Sequence, residues 1–91
     1  MPDKAVMIVE DKESISSLIH EIMLHWGFNV VAKASTGEEA LGLFRELRPN
    51  IILMDLLLPD MSGLEVARNI LEIDPQTRIV AMSAMVDDNI R

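Results

Sequence analysis

The sequence predicts an α/β fold, a parallel sheet with helices wound on both faces, and three observations carry that prediction. Short unbroken apolar runs alternate with amphipathic segments along the chain. The runs lack the apolar–polar alternation of a strand with one wet face, so each reads as covered on both sides. Three of them close on acidic or hydroxyl residues, Glu10-Asp11, Asp55 and Ser83, as strands do when they feed a site at their carboxyl ends.

In order, Ala5 to Val9 is a continuous apolar run and the first strand. Ile15, Leu18, Ile19, Ile22, Met23 and Trp26 then recur at helical spacing, with Gly27 as the stop signal. Asn29 to Ala34 is the second strand. Ser35-Thr36-Gly37-Glu38-Glu39 contains two overlapping capping boxes, Ser35 with Glu38 and Thr36 with Glu39. The helix they open is expected to turn Ala40, Leu41, Phe44 and Leu47 inward and to end before Pro49. Asn50 to Met54 is the third strand, ended by Asp55. A Leu-rich loop containing Pro59 leads through Gly63 to a third helix, about Leu64 to Ile73, stopped by Asp74-Pro75. Arg78 to Met82 is the fourth strand, and Val86 to Arg91 reads as the start of a fourth helix, capped by Asp87 and Asp88. The pattern is βαβαβαβ.

With 91 residues there is material for one domain. Aromatic residues make up 3% of the chain, so the core must be aliphatic and Met-rich. The formal charge of −7 argues against direct nucleic-acid binding and against an anionic membrane surface as partner. The absence of cysteine removes disulfides and thiolate metal sites. The first apolar run is too short for a signal peptide, and no stretch has the length of a membrane span, so a cytoplasmic location is expected.

In the flavodoxin-like strand order 2-1-3-4-5, strands one and three are neighbours at the switch point. Glu10 and Asp11 then meet Asp55. Three carboxylates in one place repel one another unless a cation joins them, and an oxygen-only set with room for water suits Mg²⁺ better than zinc. An Asp beside Mg²⁺ can attack phosphorus to form an acyl phosphate. Ser83, ending the fourth strand, is placed to offer a hydroxyl to such a group.

The segments Ile8-Val9-Glu10-Asp11, Ile52 to Gly63 and Ala81-Met82-Ser83-Ala84 resemble, in composition and order, the three signatures of response-regulator receiver domains, and the likeness runs the length of the chain, residues 1–91. The resemblance implies that Asp55 is the phosphoacceptor. Asp11 would ligate Mg²⁺ directly, Glu10 through a metal-bound water, and Leu57 through its backbone carbonyl. Ser83 would contact the phosphoryl group and act as the switch. Pro59 and Gly63 would shape the loop between. The donor would be the phosphohistidine of a sensor histidine kinase, and the domain would lose the group slowly rather than act as a turnover enzyme.

Receivers of this kind also have a fifth strand, ending in a Lys, and a fifth helix, and the sequence stops before both. The expected consequence is a truncated receiver with an open fourth-strand edge and one uncovered flank of the first helix, either of which could seat a second copy as a homodimer. The alternative reading is a receiver-like interaction module that does not hold a phosphoryl group. A phosphohydrolase of the haloacid-dehalogenase type is disfavoured because Leu57 stands where its second Asp belongs. A nucleotide-binding domain is disfavoured because the first strand–helix turn lacks glycine. His20 and His25 do not share a helix face and read as surface residues. Trp26 is expected to pack.

Overall fold

A computed structural model describes residues 4–82 of the chain. The expectations for Ser83 and for the fourth helix with Asp87 and Asp88 lie outside these residues. The elements are β1 (Ala5–Val9), α1 (Glu13–His25), β2 (Asn29–Ala34), α2 (Gly37–Leu47), β3 (Ile51–Asp55), α3 (Gly63–Ile73) and β4 (Arg78–Met82). The four strands form one sheet in the order β2-β1-β3-β4, and every pairing is parallel. This is the doubly wound, flavodoxin-like arrangement that the apolar runs predict. The third strand runs one residue later than expected: Asn50 stands outside it and its side-chain oxygen accepts the amide of Ala5 at 3.3 Å.

Both faces of β1 are dry, which explains its unbroken apolar run. Met7 and Val9 face the main core with Ile52, Met54, Phe44, Val66 and Ile70, while Val6 and Ile8, also fully buried, lie outside that cluster. The register Val6↔Ile51 through Val9↔Met54 brings the ends of β1 and β3 level, so Glu10 follows β1 beside Asp55.

The helix ends are chemically specified. The amides of Gly27 and Phe28 donate to the carbonyls of Leu24 (3.0 Å) and Met23 (2.9 Å), a Schellman motif with Gly27 at φ 88°. At the start of α2, Thr36 Oγ1 accepts the Glu39 amide at 3.1 Å, as the second capping box predicts. The reciprocal half differs, because Glu39 Oε1 accepts the amide of Ser35 at 2.9 Å rather than that of Thr36. The Ser35–Glu38 box does not form, because Glu38 offers its amide to Asp60 instead, at 3.0 Å.

The uncovered flank expected of the first helix is present, and two expectations of burial, for Trp26 and Leu47, are overturned. The apolar stripe of α1 is wider than the sheet beneath it. Ile15, Ile19 and Met23 are half-buried and Ser16 is buried, but Leu18 (58% exposed), Ile22 (42%) and Trp26 (70%) form the opposite flank and face outward. Trp26 thus does not pack in a core; its ring stands edge-to-face with that of His25, at 6.1 Å between centroids. Leu47 is 45% exposed, since as the last residue of α2 it has no following turn to pack beside.

Candidate functional site

The site stands at the carboxyl ends of the two central strands. β1 delivers Glu10 and Asp11, and β3 delivers Asp55 as its last residue. Carboxylate oxygens of these three residues all lie within 4.8 Å of one another, with Glu10 and Asp55 buried and Asp11 exposed. The sequence reading that Glu10, Asp11 and Asp55 converge is therefore met in the structure.

Burial pushes the Glu10 carboxyl above the ordinary glutamate range, and repulsion from Asp55 and Asp11 adds to the effect. The Lys12 amide, donating to Glu10 Oε2 at 3.1 Å, opposes it. Among the described residues the one ion pair is Lys33–Glu13, at 3.6 Å, so none of the three carboxylates has a basic partner. Three oxygen donors, uncompensated negative charge and one open side fit a hard divalent cation that keeps some of its water.

The loop after Asp55 is ordered by short-range contacts. Asp55 Oδ1 accepts the amide of Leu57 at 3.0 Å, which orients the carboxylate. Leu57 and Ser62 form an isolated antiparallel bridge, and the amide of Gly63 donates to the carbonyl of Leu56 at 3.0 Å. Gly63 has to be glycine here: a Cβ would run into the Asp55 carbonyl oxygen and lie 2.8 Å from Leu56 Cα. The side chain of Leu57 is exposed, in keeping with a residue expected to act through its backbone.

One residue that sequence reasoning did not single out completes the picture. Asp60, in the same loop, accepts the amides of Gly37 (Oδ1, 2.8 Å) and Glu38 (Oδ2, 3.0 Å) at the start of α2. The sequence marks Asp60 only as a loop residue after Pro59, and nothing in it indicates a partner more than twenty residues upstream.

Comparison with known proteins agrees with this geometry. Residues 6–91 match the response regulator receiver domain family, and the chain belongs to that family. It is 35% identical over 82 residues to the chemotaxis protein CheY of Thermotoga maritima, an alignment covering 90% of this chain and 68% of that protein. It is 36% identical over 80 residues to CheY of Bacillus subtilis, covering 88% of this chain and 67% of that one. Among solved structures, a chain of the CheX–CheY–BeF₃–Mg²⁺ complex from Borrelia burgdorferi superposes with a TM-score of 0.85 at 29% identity, covering 92% of this chain and 64% of that one. The response regulator TrrA of Thermotoga maritima, in complex with Mg²⁺ and BeF, gives 0.85 at 30% identity, covering 91% and 71%. The chain thus spans about two thirds of the length of these relatives.

Proposed function

We propose that this chain is the phosphoacceptor portion of a two-component response regulator, taking a phosphoryl group onto Asp55 from the phosphohistidine of a sensor kinase. The observation that carries the reading is the convergence of Glu10, Asp11 and Asp55 within 4.8 Å at the ends of β1 and β3, with the Leu57 amide on Asp55. A carboxylate oxygen of Asp55 attacks phosphorus as the bond from phosphorus to the donor imidazole nitrogen breaks. The imidazole leaves with the bonding electron pair and takes up a proton. Asp11, Asp55 and the Leu57 carbonyl would hold Mg²⁺, with Glu10 acting through a bound water. The ion, when bound, supplies positive charge to offset the negative charge on the transferring group. Ser83 would contact the phosphoryl oxygens. The modification is stoichiometric and slowly reversed, so the domain is a switch rather than a turnover enzyme.

The cytoplasm is the compartment this reading requires, and no described helix is long and apolar enough to cross a membrane. A second copy seated on the β4 edge or the outer flank of α1 is the proposed homodimer contact, supported by the exposure of Leu18, Ile22 and Val80. Neither nucleic acid nor membrane is a partner of this part of the protein, given its net charge of −7.

The direct test is intact-mass spectrometry after incubation with Mg²⁺ and acetyl phosphate. One phosphoryl adduct is expected on the native chain and none on Asp55→Asn. No adduct on the native chain would favour the interaction-module reading.

A further inference from the structure

We infer that Asp60 is a positioning residue for the metal site: its carboxylate clasps the tip of the β3–α3 loop to the start of α2 and so fixes the backbone that offers the Leu57 carbonyl. The inference rests on the proposed Mg²⁺ reading of the site.

The first four amides of a helix have no partner within it. In α2 those of Gly37, Glu38 and Glu39 have found one outside the helix ladder, which Ala40 begins on the Thr36 carbonyl (3.0 Å). Glu39 donates to Thr36 Oγ1 (3.1 Å), as in any capped helix. Gly37 and Glu38 donate to the two oxygens of Asp60, a residue from a different βα unit. The two amides draw the Asp60 carboxyl below the ordinary aspartate range, in keeping with a held anion at a helix start.

The clasp matters to the site because of where the loop is otherwise anchored. Its base is fixed by Gly63 pressed on the Asp55 and Leu56 backbone, and its arms by the Leu57–Ser62 bridge. Asp60 lies between those arms and supplies the tip. Beside it Met61 covers Gly37, where an added Cβ would collide with the Met61 side chain and lie 2.8 Å from Val66 Cγ2. Releasing the tip leaves Leu57 held only by its bond to Asp55 and its bridge to Ser62, with the loop between them free to move, and a ligand that must be re-ordered on binding weakens affinity.

The test uses the 91-residue chain with Asp60→Ala and Asp60→Asn, read by two measurements: amide hydrogen exchange of residues 56–62 without metal, and Mg²⁺ affinity by titration calorimetry. Asp60→Ala is expected to speed exchange in the loop about tenfold and weaken Mg²⁺ binding about three- to tenfold, a loss of roughly 0.7–1.4 kcal/mol. Asp60→Asn, which keeps an acceptor for one amide, is expected to recover part of both. Circular dichroism and urea denaturation report folding separately, and a variant that weakens Mg²⁺ binding only by unfolding overturns the role. Unchanged Mg²⁺ affinity in a folded Asp60→Ala, with the native chain binding normally, overturns the positioning role alone. A native chain that binds no Mg²⁺ sinks the functional reading and this inference with it.

Discussion

Glu10, Asp11 and Asp55 set three acidic side chains within 4.8 Å, and two of them are shielded from water. In the metal-free protein that arrangement is a cost. Replacing Glu10 with Gln removes one member of the cluster, and is expected to raise the unfolding free energy in EDTA at neutral pH by about 1 kcal/mol. Urea denaturation with and without Mg²⁺ checks it, since the variant should also gain less stability from the ion than the native chain. Asp60 predicts the opposite kind of pH dependence. Its carboxyl titrates lower in the folded than in the unfolded chain, because Gly37 and Glu38 donate to it. The folded state therefore binds fewer protons, and the contribution is complete above the unfolded aspartate value and lost as the pH falls through the folded one. Urea midpoints of the native chain and Asp60→Asn are expected to converge as the pH falls below about 4, the unfolded aspartate value. The contrast between these residues also shows what a sequence exposes. Glu10, Asp11 and Asp55 each follow an apolar run, so their place at a strand end is local information. The role of Asp60 depends on a loop meeting a helix from another unit, and no local pattern encodes it.

Two glycines separate backbone demand from mere tolerance. Gly63 opens α3 against the backbone of Asp55 and Leu56, which cannot yield as a side chain would. Gly63→Ala is expected to cost about 2–3 kcal/mol and to abolish phosphorylation of Asp55 by displacing the loop. Gly42 lies within α2, exposed, with nothing within 4 Å of an added Cβ. Gly42→Ala is expected to stabilise the chain by about 0.5–1 kcal/mol with phosphorylation unchanged. Chemical denaturation beside the intact-mass assay distinguishes the two. Element identities and most boundaries were readable from period and stop signals: Gly27, Pro49 and Asp74-Pro75 each end a helix where expected. The capping of α2 was half readable. Thr36 and Glu39 are local partners, whereas the Glu38 amide is taken by a residue 22 positions away.

Across the whole molecule, polar and apolar surfaces are unevenly finished. The α2–α3 side encloses the core, while the outer flank of α1 leaves Leu18, Ile22 and Trp26 in solvent and β4, the edge strand among the described residues, leaves Val80 half exposed. Periodicity located the apolar stripe of α1, whereas its uncovered flank was expected only from the resemblance to receivers, because a pattern gives a face and not its neighbour. Sedimentation velocity is expected to show concentration-dependent association of the 91-residue chain, suppressed by the double change Leu18→Glu and Ile22→Glu; a monomer at all concentrations would exclude the homodimer contact. The pairing of Val6 with Ile51 carries a last consequence, for the order in which the protein comes into being. A chain emerging from the ribosome presents Glu10 and Asp11 early, yet their third companion arrives some forty residues later. Until β3 slots in beside β1, an insertion that a parallel crossover makes slow, the half-made protein has two scattered acids and no pocket. The three-carboxylate site thus comes together only when β3 inserts beside β1, and an unfinished chain that has not yet released β3 does not contain it.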